Sequence, residues 1–257
     1  MKILRAEHLG MCFGVRDAID FALSQAKRQP LTILGDLVHN ESVLADLRAR
    51  GITIATAPAE IHSRNVMITA HGASERTMAR VRAGGHAVHE ATCPLVHAAH
   101  RAVSNLAAAG YHVIIIGKRD HVEVRGLTED LDAFDVILSE ADINQLSKHS
   151  RFGVAAQTTQ PIERVIELVR CLSERFPLSE VRFVDTVCRP TKQRQQAAVD
   201  LARQCDLVLV IGGRDSNNTR ELVNTCQRYC RRVLHIQSAA DLRPDWFEGA
   251  KTIGITA

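Results

Sequence analysis

The sequence predicts an α/β protein built from three pseudo-equivalent α/β units, because one pattern of cysteine, helix and strand recurs three times. Cys12, Cys93 and Cys188 each open a segment whose apolar residues have helical spacing. A short β-rich run follows each helix (LTILGD, HVIIIG and DLVLVIGG), and a polar loop follows each run. Strands that alternate with helices in this way indicate largely parallel sheets.

The second half of the pattern also recurs, through the apolar runs NVMITA, RFGVAA and KTIGITA. In the first two repeats a further strand, HAVHEATC or VRFVDTVC, ends at the next cysteine. By the same logic, the N-terminal segment MKILRAEHLGMC is the strand that completes the third repeat and leads to Cys12. The predicted units are therefore 12–93, 94–188, and 189–257 together with the strand at 1–11.

Composition narrows the class of protein. With 257 residues, 46% hydrophobic and 24% charged, the chain is typical of a globular protein. A net charge of +3, no block of like charges and 4% aromatic residues argue against a nucleic-acid partner. We expect no membrane span and no signal peptide, and hence a cytoplasmic protein with reduced thiols. The seven cysteines then do not form a disulfide framework.

The three repeated cysteines are the candidate metal ligands. Three equivalent units arranged around an axis would bring them together, where they could hold zinc with a fourth ligand or three corners of a [4Fe–4S] cluster. Structural zinc sites usually contain closely spaced cysteine pairs, which favours the cluster, although three buried apolar cysteines remain an alternative. Four further cysteines lie in unmatched contexts and are expected to be structural: Cys171, Cys205, Cys226 and Cys230.

Polar residues in the loops that follow equivalent strands are the candidate ligand-binding residues. They are His39 and His71 in the first unit, His121, Glu123 and Thr158 in the second, and Ser216, Asn217 and Asn218 in the third. Each alone could be a helix cap or a surface residue, but their recurrence favours a shared site for an anion such as a phosphate. No nucleotide-binding glycine motif is present. His97 and His100 are expected on a solvated helix face.

Eight motifs occur in order along essentially the whole chain. They are G-x-C-F-G-V at Cys12, V-H-N at His39, A-H-G at His71, A-T-C-P-L-V at Cys93, H-x-E-V at His121, Q-T-T at Thr158, D-T-V-C-x-x-T-x-x-R-Q at Cys188 and S-x-N at Ser216. In these motifs the sequence resembles the 4-hydroxy-3-methylbut-2-enyl diphosphate reductases of the non-mevalonate isoprenoid pathway. The resemblance implies a trefoil of three α/β domains around an oxygen-labile [4Fe–4S] cluster.

The resemblance also implies roles for individual residues. Cys12, Cys93 and Cys188 would bind the cluster. An allylic diphosphate would be held by His39, His71, Ser216, Asn217 and Asn218. His121 and Thr158 would contact the substrate and Glu123 would deliver a proton, with ferredoxin or flavodoxin as electron donor.

The sequence departs from the family pattern at a few positions. Val122 replaces the usual Pro of the H-P-E-V motif, and Asn217 replaces a common Ser. The sequence ends at Ala257, where family members continue into G-A-S-x-P. Two other functions are compatible with the scaffold: a non-catalytic iron–sulfur electron carrier or redox sensor, and a paralogue that acts on another diphosphate.

Overall fold

The computed structural model describes residues 1–257 and contains three separate four-stranded parallel sheets. The strands are β1 (Lys2–Arg5), β2 (Leu31–Leu34), β3 (Thr53–Ala55), β4 (Asn65–Ile68), β5 (Ala87–Glu90), β6 (His112–Ile116), β7 (Phe134–Ile137), β8 (Arg151–Ala156), β9 (Glu180–Phe183), β10 (Leu207–Ile211), β11 (Val233–Ile236) and β12 (Thr252–Thr256). The helices are α1 (Phe13–Ala26), α2 (Glu41–Ala49), α3 (Glu75–Ala83), α4 (Pro94–Ala108), α5 (Val122–Thr128), α6 (Glu140–Asn144), α7 (Ile162–Arg175), α8 (Arg189–Ala202) and α9 (Asn217–Gln227). Short 3-10 helices span Pro58–Glu60, Ala239–Asp241 and Pro244–Phe247.

The three sheets share one strand order, which confirms the predicted repeat. The orders are β3-β2-β4-β5, β7-β6-β8-β9 and β11-β10-β12-β1. The N-terminal strand β1 pairs in parallel with β12, with Ile3 opposite Ile253, so it completes the third sheet as the sequence predicts. The predicted α/β fold with three parallel sheets is therefore correct.

Residues of the chain fall into two compact units. One comprises Met1–Cys12, His39–Val43 and Cys188–Ala257 and contains the third sheet. The other comprises Phe13–Val38 and Leu44–Val187 and contains the first two sheets. The three unit boundaries read from the sequence stay a prediction.

Helices cover both faces of the sheet β7-β6-β8-β9, which explains why its central strands β6 and β8 are almost uniformly apolar. On one face, Leu168 and Leu172 of α7 pack against Phe152 and Val154 of β8. On the other, Val103 and its neighbours on α4 pack against the opposite sides of the same strands. Each fully buried side chain of this size contributes about 1.5–3 kcal/mol of transfer free energy. This core fixes the ends of the strands from which the candidate site residues extend.

In the unit with the third sheet, α8 and α9 cover one face. Their apolar residues, including Ala198, Leu201 and Leu222, pack with Val208 and Val210 of β10. No helix in the structure is long and apolar enough to cross a membrane.

Candidate functional site

The predicted site residues follow both central strands of the first two sheets and the central strand β10 of the third. In the first two sheets the chain leaves one central strand towards one edge and leaves the other central strand towards the opposite edge, and in the third sheet it leaves β10 towards the edge strand β11. In parallel α/β sheets, ligands bind beyond the carboxyl ends of the strands at such a switch point. The residues that follow central strands are His39 (β2), His71 (β4), His121 (β6), Thr158 (β8) and Ser216 (β10).

Glu123 and Thr158 form a buried pair at the ends of β6 and β8. The backbone N–H of Thr158 donates to Glu123 Oε1 over 2.7 Å, and the Thr158 hydroxyl donates to Glu123 Oε2 over 3.0 Å. The Glu123 side chain is 1% exposed and has no basic partner in its hydrogen bonds. Burial raises the pKa of Glu123 to about 7, against the opposing effect of the two hydrogen bonds from Thr158. A carboxyl group in this state can give up or hold a proton at neutral pH.

His121 is the N-cap of α5 and lies next to Glu123 in the fold. Its Nδ1 accepts a hydrogen bond of 3.1 Å from the backbone N–H of Glu123. A neutral His121 therefore carries its proton on Nε2, which is a donor suited to an anionic ligand. The ring of His71 lies edge-on to that of His121, with 5.6 Å between the ring centroids. The structure thus brings together His71, His121, Glu123 and Thr158 within one unit.

Val122, which replaces the usual Pro of the H-P-E-V motif, is compatible with this geometry. Val122 is the first residue of α5, the position at which Pro is favoured because its fixed φ suits a helix start. Valine at this position leaves the cap by His121 intact.

The other unit brings His39 next to the loop that precedes α9. A Cβ on Gly213 would lie 1.7 Å from the backbone oxygen of His39, so only glycine allows the two backbones to approach this closely. Ser216 is the N-cap of α9 and its hydroxyl accepts from the backbone N–H of Thr219 over 3.3 Å. Asn217 is buried, and Asn218 has a buried Oδ1 without a hydrogen-bond partner.

The three predicted cluster ligands all lie at the start of a helix. Cys93 and Cys188 are the N-caps of α4 and α8, and Cys12 directly precedes α1. None of the three forms a disulfide. A helix N-terminus stabilises negative charge, which suits thiolates that bind a metal centre.

Contacts within each unit support these positions. The Cys188 Sγ lies 3.0 Å from Thr191 Oγ1, and Arg194 Nε donates over 2.9 Å to the carbonyl of Gly10, two residues before Cys12. In the other unit, a Cβ on Gly14 would lie 2.6 Å from Cys93 Sγ.

Sequence reasoning missed several of these contacts and was wrong about one histidine. Thr191 and Gly14 occur in the motifs around Cys188 and Cys12, but nothing in their spacing identifies their partners. His97 is half exposed and pairs with Glu90, whereas His100 is partly buried, with its Nε2 buried and without a hydrogen-bond partner. Burial lowers the pKa of His100. The loop at Gly72 packs against the His100 ring: a Cβ added to Gly72 would lie 3.1 Å from His100 Nε2. Helical spacing alone cannot reveal this contact.

Comparisons with known proteins cover the whole chain. The sequence model of the family described as LytB protein matches residues 3–257. The 4-hydroxy-3-methylbut-2-enyl diphosphate reductase of Trichlorobacter lovleyi is 36% identical over 260 residues, covering 100% of this chain and 92% of the relative. The enzyme of the same name from Aquifex aeolicus is 34% identical over 263 residues, covering 100% of this chain and 90% of the relative.

Solved structures agree with the sequence relatives. The E-1-hydroxy-2-methyl-but-2-enyl-4-diphosphate reductase from Plasmodium falciparum has a TM-score of 0.93 at 26% identity, covering 99% of this chain and 82% of that one. An (E)-4-hydroxy-3-methyl-but-2-enyl diphosphate reductase, described as the terminal enzyme of the non-mevalonate pathway, has a TM-score of 0.69 at 33% identity, covering 100% of this chain and 93% of that one. The resemblance read from the eight motifs is thereby confirmed. The chain belongs to the LytB protein family.

Proposed function

We propose that this chain catalyses the reductive dehydroxylation of 4-hydroxy-3-methylbut-2-enyl diphosphate to isopentenyl and dimethylallyl diphosphate. The relatives that match it from end to end carry the name of that reductase. The observation within the chain that carries the proposal is the buried Glu123–Thr158 pair, with its raised carboxyl pKa, beside His121. An electron carrier or redox sensor has no use for a buried proton donor at a strand switch point, which disfavours that alternative.

Cys12, Cys93 and Cys188 would hold a [4Fe–4S] cluster, since cysteines at helix starts that form no disulfide are suitable ligands for three of its irons. When bound, the cluster would supply single electrons and an open iron that acts as a Lewis acid. Two electrons must reach the site for each turnover, and we propose ferredoxin or flavodoxin as their source. A cytoplasmic location would keep both the thiols and the donor reduced.

The candidate residues would serve either binding or proton transfer. His39, His71, Ser216, Asn217 and Asn218 would bind the diphosphate, because imidazole, hydroxyl and amide groups and a helix N-terminus all offer donors to phosphate oxygens. Breaking the C–O bond with two electrons and two protons gives the alkene and water.

Proton delivery is assigned to Glu123 acting with Thr158. Because the Thr158 hydroxyl is bonded to Glu123 Oε2, it can pass a proton from the carboxyl group towards the leaving hydroxyl of the substrate. His121 Nε2 would donate to the substrate, since Nδ1 accepts the backbone N–H of Glu123. This arrangement protonates the leaving oxygen without admitting bulk water.

The test is anaerobic reconstitution followed by iron, sulfide and turnover measurements. Wild-type protein should bind about four irons and reduce the substrate when a chemical reductant is supplied. Serine at Cys12, Cys93 or Cys188 should lower the iron and sulfide content, whereas Cys171→Ser is the matched control and should leave it intact. An unchanged cluster content in any of the three variants would remove that residue from the ligand set. A loaded wild-type protein that binds the substrate without reducing it would refute the proposed reaction.

A further inference from the structure

An acidic pair at the end of α5 holds the start of α3. Asp130 Oδ2 accepts a hydrogen bond of 2.7 Å from the backbone N–H of Glu75, and Oδ1 accepts one of 3.0 Å from that of Arg76. These are the first two N–H groups of α3, which have no partner within the helix. A carboxylate from another part of the chain thus caps this helix and matches the positive end of its dipole.

Glu129 binds the same helix start through side chains. Its carboxylate accepts hydrogen bonds from the hydroxyls of Ser74 and Thr77, the latter over 2.8 Å, and pairs with the guanidinium of Arg80. Partial burial raises the pKa of Glu129, but the bonds from Ser74, Thr77 and Arg80 outweigh it and lower the pKa below its usual value. Ser74 is itself the N-cap of α3 and is fully buried.

These contacts link two segments that carry candidate site residues. His71 lies three residues before the Ser74 cap, and His121 and Glu123 lie at the start of α5. The helix has seven residues, so its two ends are about 10 Å apart, too short a distance to flex appreciably. In the middle of α5, Gly126 lies close to Ala73: a Cβ added to Gly126 would lie 3.7 Å from the Ala73 Cα.

We propose that Glu129 and Asp130 are positioning residues that fix His71 relative to His121 and Glu123. The hydrogen bonds of both carboxylates go to α3 and to its N-cap Ser74. Because α5 is rigid, holding its far end against Ser74 sets where the His71 ring stands against His121. The 5.6 Å ring contact is therefore a consequence of bonds made two helical turns away.

This inference rests on the proposed function only for its kinetic consequence. If His71 binds the diphosphate, then loosening its loop should weaken binding and leave the Glu123–Thr158 pair intact. Loss of binding that is equal in ground and transition states raises KM at constant kcat. A purely structural role would lower Tm and leave both kinetic constants unchanged.

The experiment compares Glu129→Gln and Asp130→Asn with the control Asp132→Asn. Asp132 is 98% exposed and pairs with Arg76 only at the surface, over 3.3 Å, so its loss should change nothing. Both test variants keep an oxygen acceptor and should fold. We expect each to raise KM for the substrate about three- to tenfold, with kcat and its pH profile near wild type. Their double variant should show the larger rise.

Hydrogen exchange supplies a readout that does not need turnover. In Asp130→Asn the amides of Glu75 and Arg76 should exchange faster, and protection should also fall in the loop that contains His71. Inorganic pyrophosphate, used as a competing ligand, should bind correspondingly more weakly. A KM within about twofold of wild type in both single variants and in the double variant would overturn the proposal, whatever the change in Tm. Failure of wild-type turnover would instead refute the proposed function, and the exchange at residues 71–76 would still decide this inference.

Discussion

Two equivalent positions in the repeat, the starts of α5 and α9, are built from the same local structure and used differently. Each follows a central strand of its sheet, β6 or β10, and each begins at a residue whose side chain accepts a backbone N–H: His121 from Glu123, and Ser216 from Thr219. After the cap, α5 places Glu123 inward, where both of its oxygens are bonded by Thr158. At the corresponding place α9 has the amides Asn217 and Asn218, and Asn218 Oδ1 is buried without a partner.

The difference separates a site that is complete in itself from one that is completed by a ligand. The protein satisfies Glu123 internally and so sets its protonation before any substrate arrives. It leaves Asn218 unsatisfied, and a buried polar group without a partner costs about 1–3 kcal/mol unless a ligand supplies one. We therefore propose that one repeat unit serves proton transfer and the other binds an anion.

Glu123→Gln should produce the largest effect. The amide keeps the shape of the side chain but has no acidic proton, and a positioned general acid contributes about 10²–10⁴-fold in rate. We expect kcat to fall by that factor, with cluster content and substrate binding retained, measured under anaerobic steady-state conditions. Glu167→Gln, on the exposed side of α7, is the control. Near-normal turnover in Glu123→Gln would show that the start of α5 supplies no essential proton donor, and the proposed difference between the two helix starts would be wrong.

The pH dependence of stability should reveal the raised pKa of the Glu123 carboxyl group. In the folded protein the pKa of Glu123 is about 7, above the ordinary value of 4.5. The contribution of this carboxyl group to the free energy of unfolding is therefore fully present below pH 4.5 and is lost as the pH rises to 7. Glu123 should therefore lower the free energy of unfolding by about 3 kcal/mol across that window. Urea unfolding at a series of pH values should give a difference between wild type and Glu123→Gln that follows this slope. A difference independent of pH would show that Glu123 keeps an ordinary pKa.

The repeat, the parallel sheets and the helix-start cysteines could all be predicted from the sequence, because they depend on local periodicity and on repetition of a pattern. The completion of the third sheet by β1 followed from the repeat alone, although Ile3 and Ile253 lie at opposite ends of the chain. The bonds of Glu129 and Asp130 could not be predicted. They join residues about 50 positions apart, and an acidic pair at the end of a short helix is locally indistinguishable from a solvated surface.

Thr158→Val should have an intermediate effect. It removes the hydroxyl bond to Glu123 Oε2 and keeps the backbone bond to Oε1. Because that hydroxyl lowers the pKa of Glu123, its loss should raise the pKa further above 7 and move the alkaline limb of the kcat profile to higher pH. The rate should fall about three- to tenfold. If the limb moved to lower pH, the proton donor would be another group.

Asn218→Ala should have the smallest effect on the free protein and a selective effect on binding. The substitution removes a buried oxygen that has no partner, so Tm should stay the same or rise slightly, by the equivalent of about 1 kcal/mol or less. In the complex, a half-turn of the amide would offer its N–H2 group to a phosphate oxygen, and alanine cannot replace that bond. We therefore expect Kd for the substrate or pyrophosphate to rise about three- to tenfold. Asn224→Ala, on the exposed side of the same helix, controls for changes in α9 itself. If Asn218→Ala instead lowered Tm and left Kd unchanged, Asn218 would be a structural residue, and the two helix starts would differ only in the presence of Glu123.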